Sequence, residues 1–227
     1  MLAMKHKEVT RAQLGEFTDE RMILDVVEDA SNEALLRYLD MLLADERLLT
    51  EVAKRSYRHQ LGFKKLVLMV DTTGSSLRLH LWDRPSTALE DIHSHCANFC
   101  SRVVFGCLAE NSFELVPGDS HARFRYCFDA MAGHSVALKD GLTGVYLRES
   151  LILSTGNSYC KRASDLHNVS SVVKGTLTVS AWGPRDSEAI VLKSRDACPE
   201  DCAASSGMPL EEMLATLKNI KERLCGK

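Results

Sequence analysis

No stretch of this 227-residue sequence approaches the ~20 consecutive apolar residues that a membrane span needs, and the first residues lack the apolar core of a secretory leader. The cytoplasm is therefore the expected location. Basic charge is not in excess either: 28 Lys and Arg stand against 31 Asp and Glu, a formal net charge of −3. That balance removes the electrostatic case for nucleic acid or an anionic membrane as partner. There is no GxxxxGK[ST] loop, no GxGxxG after a strand and no GxSxG elbow, which sets aside phosphate-loop, dinucleotide and hydrolase chemistry. Gly141-Leu142-Thr143-Gly144 reads as a turn. Repeats, low-complexity tracts and obvious linkers are missing. Cys198-Pro-Glu-Asp-Cys202 has no second cysteine pair nearby to complete a zinc site, so it reads as an exposed loop. The eight cysteines, in a chain this long without a leader, read as reduced thiols.

What remains is the composition of an ordinary soluble globular protein, with 45% hydrophobic and 26% charged residues and length for one substantial core. Residues 8–56 read as helical. Leu35, Leu36, Leu39, Leu42 and Leu43 form a core-facing stripe behind the capping candidates Ser31 and Asn32, and Asp45 is placed to cap a further turn through Leu48, Leu49 and Val52. From Phe63 the pattern becomes β. Leu66–Val70 is a short apolar strand ended by Asp71-Thr72-Thr73-Gly74, and Leu77–Trp82 alternates, with leucines on one face and Arg78, His80 and Trp82 on the other. Further strands are expected at Ser101–Cys107, Ser112–Val116, Ala122–Phe128, Ser135–Leu138, Gly144–Ser154, Ser170–Val173 and Leu177–Trp182. Many short strands at close spacing predict a sandwich or barrel rather than βαβ units. Helical periodicity returns over Pro209–Leu224. The expected organisation is an N-terminal helical segment (1–62), a β-barrel (63–195) and a C-terminal loop and helix (196–227).

The chemistry concentrates at His93-Ser94-His95. Two histidines at i and i+2 on a strand project from one face, so one metal ion can take both imidazoles. An acidic, polar approach (Ser86–Asp91) precedes them. His167, in Ser164-Asp165-Leu166-His167-Asn168, is the third candidate ligand. Three neutral imidazoles on a β scaffold leave open positions on a metal, as catalytic sites require.

These segments resemble the two motifs of the cupin superfamily. Gly106 stands at the distance from His93 and His95 that the first motif expects, and Gly156 stands eleven residues before His167, as in the second. The carboxylate ligand of the first motif is replaced, since Phe99 or Cys100 occupies its place. Arg162, Ser164 and Ser171 replace the inner proline, glycine and asparagine of the second. A three-histidine set without the carboxylate is similar to the thiol dioxygenases. Tyr57-Arg58 precedes the first strand, where that family has a Tyr-x-Arg segment whose arginine clamps the substrate carboxylate. Cys100 lies where some members carry a cysteine crosslinked to a tyrosine. Val179–Pro184 resembles the strand that brings the tyrosine, although Trp182 replaces it and Thr178 and Ser180 do not reproduce the family's Ser-His-Tyr relay. The resemblance spans roughly residues 55–185.

It implies a cupin-type double-stranded β-helix, a jelly-roll barrel flanked by N-terminal helices and a C-terminal helix. It also implies a mononuclear non-haem iron dioxygenase that oxidises a small, carboxylate-bearing metabolite with O2. Fe(II) is the expected ion, with Zn, Mn or Ni as alternatives. Arg58, Tyr57, Arg78 and Trp82 are the expected substrate-binding residues; His80, Cys100 and Trp182 are expected to support the centre from behind. For these side chains, salt bridges, core aromatics and ordinary buried thiols are the competing readings. Two rival functions stay open: a Lewis-acid cupin isomerase or lyase, with Glu90 or Asp91 as conceivable base, and a non-catalytic cupin that binds a small molecule. The partners expected are substrate and O2, in a monomer or homodimer.

Overall fold

A computed structural model describes residues 20–59, 62–84, 91–129, 134–185, 188–198 and 207–226. Three helices come first: α1 (Glu20–Asp29), α2 (Asn32–Ala44) and α3 (Glu46–Arg55). The strands are β1 (Tyr57–Arg58), β2 (Lys64–Val70), β3 (Ser76–Leu81), β4 (Ile92–His93), β5 (Phe99–Phe105), β6 (Cys107–Asp129), β7 (His134–Ser154), β8 (Ser158–Lys161), β9 (Leu166–Ser170), β10 (Leu177–Trp182) and β11 (Ala189–Ser194), followed by helix α4 (Leu210–Leu224). The helical run breaks where capping chemistry dictates. Ser31 accepts the Ala34 N–H to start α2, and Asp45 accepts the N–H groups of Arg47 and Leu48 to start α3.

Two antiparallel sheets face each other, in the orders β1-β2-β3-β10-β5-β8 and β11-β4-β9-β6-β7. From β3 onward the chain alternates between them except at the β6–β7 pair, which stays in the second: β3, β5, β8 and β10 lie in the first sheet, and β4, β6, β7, β9 and β11 in the second. This interlocked winding is the jelly roll, the double-stranded β-helix. Gly106 makes the hinge between β5 and β6. Its φ of +89° suits glycine, and a Cβ there would meet the Thr176 Cα at 2.9 Å.

Period-two alternation decides what each face of the first sheet meets. Leu77, Leu79 and Leu81 of β3, with Leu177, Val179 and Ala181 of β10, point outward into a core shared with Ile23, Val27, Leu39, Met213 and Leu217 of the helices. Each fully buried leucine there contributes about 2 kcal/mol. The opposite face, carrying Arg78, His80, Ser180 and Trp182, points into the barrel. The helices thus cover one side of the sheet and leave its polar and aromatic side for chemistry.

Three expectations are corrected. The strands expected at 112–116 and 122–128 are one strand, β6, and those at 135–138 and 144–154 are one strand, β7. Register shifts near Ser112, Val116 and Ala122 absorb the Pro117-Gly118 segment; glycine and proline mark bulges as readily as turns. The strand expected at 170–173 is instead β9, which ends at Ser170; Ser171 has φ +48°. Cys100 and Cys160, register partners across β5 and β8, are joined in a disulfide rather than being reduced thiols. Residues 199–206, and with them most of the Cys198–Cys202 segment, lie outside the described residues, as do residues 85–90.

Candidate metal centre

His93 ends β4 and His167 lies in β9, and the two are direct register partners across that pair. His95 lies beyond the end of β4, so the pair of histidines is not carried on one long strand as the spacing suggested. Ser94 replaces the missing ladder: its N–H donates to the Ile190 carbonyl and its hydroxyl accepts the Ile190 N–H, both at 2.8 Å. The His95 N–H donates to the Ala163 carbonyl at 2.9 Å. These bonds hold the segment against β11 and the loop before β9, with both rings turned inward.

One nitrogen from each of the three rings lies within 4.8 Å of the others. The His93 Nδ1 is 2.8 Å from the Asp91 carbonyl. A carbonyl only accepts, so Nδ1 carries the proton and the Nε2 lone pair is left for a ligand. His167 Nδ1 lies 3.2 Å from Glu110 Oε1, an ionic contact without hydrogen-bond alignment, and that oxygen lies 2.7 Å from Lys161 Nζ. The His95 and His167 Nε2 atoms are 2.8 Å apart. At most one proton fits between them.

Burial pushes His93 down to about 3 and His95 well below its ordinary value. His167 is also lowered by burial, with Glu110 opposing the shift. All three are neutral at physiological pH, the protonation state in which imidazole ligates metals. The donor set therefore fits a divalent transition metal with open positions. Phe99, four residues after His95, offers an aromatic face to the site: its ring stacks on Trp182 at 4.3 Å and meets His95 edge-on at 4.7 Å.

The three histidines line a cavity of about 680 Å³. Of the side chains expected around them, Tyr57, Arg78, His80, Trp82 and Trp182 line it too. The Trp182 ring lies 4.8 Å from that of His95 and 4.0 Å from the Arg78 guanidinium carbon.

Two expected residues do not belong there. Arg58 is held in a bidentate pair by Asp83 at 2.8 and 2.9 Å, with Glu212 at 3.6 Å, and does not line the cavity. Cys100 faces the helices and packs in the outer core, because it is one residue out of phase with the inward-facing Phe99. His121, next to Ser120 on β6, also takes no part.

Sequence reading missed several cavity and support residues, four charged ones among them. Lys65 and Arg185 line the cavity, while Glu110 and Lys161 form the polar contact behind His167. A β-period reading of Lys64-Lys65 against Leu66 and Leu68 would have turned Lys65 inward. Glu110 follows Leu108 by two on a strand and carried the same signal.

The chain matches no protein-family model, and it matches no curated protein. Among solved structures it is similar to a hydroquinone 1,2-dioxygenase in complex with Cd2+ and 4-hydroxybenzonitrile, at 13% identity over 61% of this chain and 74% of that one, with a TM-score of 0.36. An oxalate oxidase matches at 13% identity over 74% and 75% of the two chains, TM-score 0.35. A protein with a double-stranded β-helix domain from Klebsiella pneumoniae matches at 12% identity over 64% and 95%, TM-score 0.34. Likenesses at this level decide nothing by themselves. The assignment of the fold rests on the strand order and sheet alternation of this chain.

Proposed function

We propose that this protein is a mononuclear non-haem iron oxygenase of the three-histidine cupin type, oxidising a small, carboxylate-bearing metabolite with O2. The observation that carries this reading is the convergence of three neutral imidazoles, without a carboxylate among them, at the wall of a cavity large enough for a metabolite. Imidazole suits ferrous iron, and iron when bound supplies the one-electron chemistry that O2 requires.

The chain's own residues have definite tasks in this reading. Asp91, through its carbonyl, and Glu110, through its side chain, fix the His93 and His167 rings so that Nε2 faces the ion. Lys161 compensates the Glu110 charge. Phe99, Trp182 and Trp82 exclude water from one side of the pocket, and Arg78 presents its guanidinium to an acidic substrate.

A Lewis-acid reaction needs a general base. The described carboxylates near the site are engaged, however: Glu110 with Lys161, and Asp91 with Lys193 at 2.7 Å. That engagement weighs against a carboxylate base for the isomerase or lyase.

Metal analysis of protein purified without added metal, followed by anaerobic ferrous reconstitution and O2-electrode assays over a panel of small acids, tests the proposal. One iron per chain and acid-dependent O2 consumption are expected. Tightly bound zinc or manganese with no O2 uptake would overturn it.

A further inference from the structure

Beside the histidines, the cavity carries three basic side chains that its described acidic residues do not neutralise. Lys65 comes from β2, Arg78 from β3, and Arg185 from the segment after β10. Register explains the first two. Lys65 pairs with His80, and Arg78 lies two residues before His80 on the same inward face. The carboxylates on this cavity's walls are already held: Asp91 by Lys193 at 2.7 Å and Glu188 by Arg125 at 3.1 Å.

The three basic groups keep much of their donor capacity. Arg78 spends Nε on the Ser76 hydroxyl at 2.8 Å, which leaves the Nη edge of its fork. Lys65 Nζ spends one donor on the Tyr57 hydroxyl at 3.1 Å. Burial and the mutual repulsion of Lys65 with Arg78 and Arg185 hold the Lys65 amine well below its ordinary value, a shift that an arriving anion would oppose. A guanidinium sunk in a cavity wall without a counter-ion is costly, and an anionic ligand removes that cost.

Distance then links this wall to the histidines. The Arg78 guanidinium and the His95 ring both touch the Trp182 ring, at 4.0 and 4.8 Å. The two ends of a short molecule can therefore reach both groups at once.

We propose that Lys65, Arg78 and Arg185, with the Tyr57 hydroxyl, form an oxoanion subsite, and that the substrate is a small dianion. One of its anionic groups is directed at the three histidines, and a second, a carboxylate or phosphonate, is held on the cationic wall. This rests on reading the cavity as the substrate pocket of the metal centre.

Both tryptophans of the chain, Trp82 and Trp182, line the cavity, so intrinsic fluorescence reports its occupancy. The test is a fluorescence titration of the full chain, metal-free and loaded with redox-silent zinc, using succinate, 3-phosphonopropionate and butyrate. At least one dianion should bind about tenfold or more tighter than butyrate, roughly the worth of one charge-assisted hydrogen bond. Arg185→Gln, at the exposed mouth, and Lys65→Met should each reduce that preference to below about threefold, with zinc stoichiometry and far-UV circular dichroism unchanged. Equal binding of dianions and butyrate, or a preference that survives both substitutions, would overturn the subsite. If zinc fails to bind but the preference is present and lost in Arg185→Gln, the subsite stands and the metal centre falls. Stoichiometric zinc without the preference gives the reverse.

Discussion

Glu110 Oε1 lies 3.2 Å from the His167 Nδ1 and 2.7 Å from the Lys161 Nζ, and its carboxylate is 1% exposed. A buried carboxylate between a lysine and a ligand-candidate imidazole has two roles. It aims the ring and neutralises the lysine. Burial pushes the Glu110 carboxyl up, but its contacts with His167 and Lys161 more than offset this and leave it below the usual carboxylate range.

Glu110→Gln keeps the shape and removes the charge. Metal affinity should fall about 10- to 100-fold, as for other partners that orient a ligating histidine. Stability should also drop by on the order of 3 kcal/mol, because Lys161 is left without its counter-ion in a buried place. Competition with a chelator reads the first effect and urea denaturation the second. An unchanged affinity would remove Glu110 from the metal centre.

His93, His95 and His167 replaced singly by alanine should each lose the ion, with metal per chain falling from about one to below about 0.1 while far-UV circular dichroism is retained. Elemental analysis after desalting is the measurement. His167→Ala retaining a full complement of metal would show that the third ligand is another residue.

Arg58→Ala should leave ligand-induced fluorescence changes intact, since Arg58 does not line the cavity. It should instead lower stability by on the order of 1 kcal/mol through the pair with Asp83, whose two side chains are 29% and 27% exposed. The sign with pH is fixed: Arg58 holds the Asp83 carboxyl below its ordinary value. The contribution is thus fully present above about pH 4 and is lost as pH falls through the folded-state value. The difference in stability between wild type and variant should narrow on acidification, and a constant gap from pH 7 to pH 3 would contradict it.

His59 and His80 should make the fold acid-sensitive well above the carboxylate range. Burial holds His59 at about 3 and His80 well below its ordinary value, so both stay neutral when folded. Unfolded, each takes a proton below about pH 6.5, and stability should fall by about 1.4 kcal/mol per pH unit for each ring on the acid side of that value. His59→Phe, which preserves the stacking on Phe63 at 4.7 Å, should flatten the slope by one such increment between pH 6 and 4.5. Denaturation midpoints over that range are the readout.

Much of this architecture was legible because it is local. The alternation of Leu77, Leu79 and Leu81 with Arg78 and His80 separates a helix-facing side from a barrel-facing side, and the structure keeps that separation. Ser31 and Asp45 cap the helices where short polar side chains can take free N–H groups. The three histidines also come together as their spacing and flanking glycines suggested. Arg58 was misplaced because a strand arginine next to a tyrosine looks the same in sequence whether it clamps a substrate or an aspartate 25 residues away. Cys100 failed for a different reason. Its distance from His95 fitted the resemblance, but strand phase turned it outward, to Cys160 on the neighbouring strand.

Sequence alone thus determined the helices, the positions of several strands and their faces, and the imidazoles able to meet at one point, since these depend on residue type and short spacing. Tertiary structure decided which groups surround that point. Glu110, Lys65 and Arg185 come from three separate strands or strand ends, and Arg78 joins them only because β3 pairs with β10 and β2. The physical reason lies in the winding of the jelly roll. Each change of sheet brings together residues tens of positions apart, and only register determines which of them face inward.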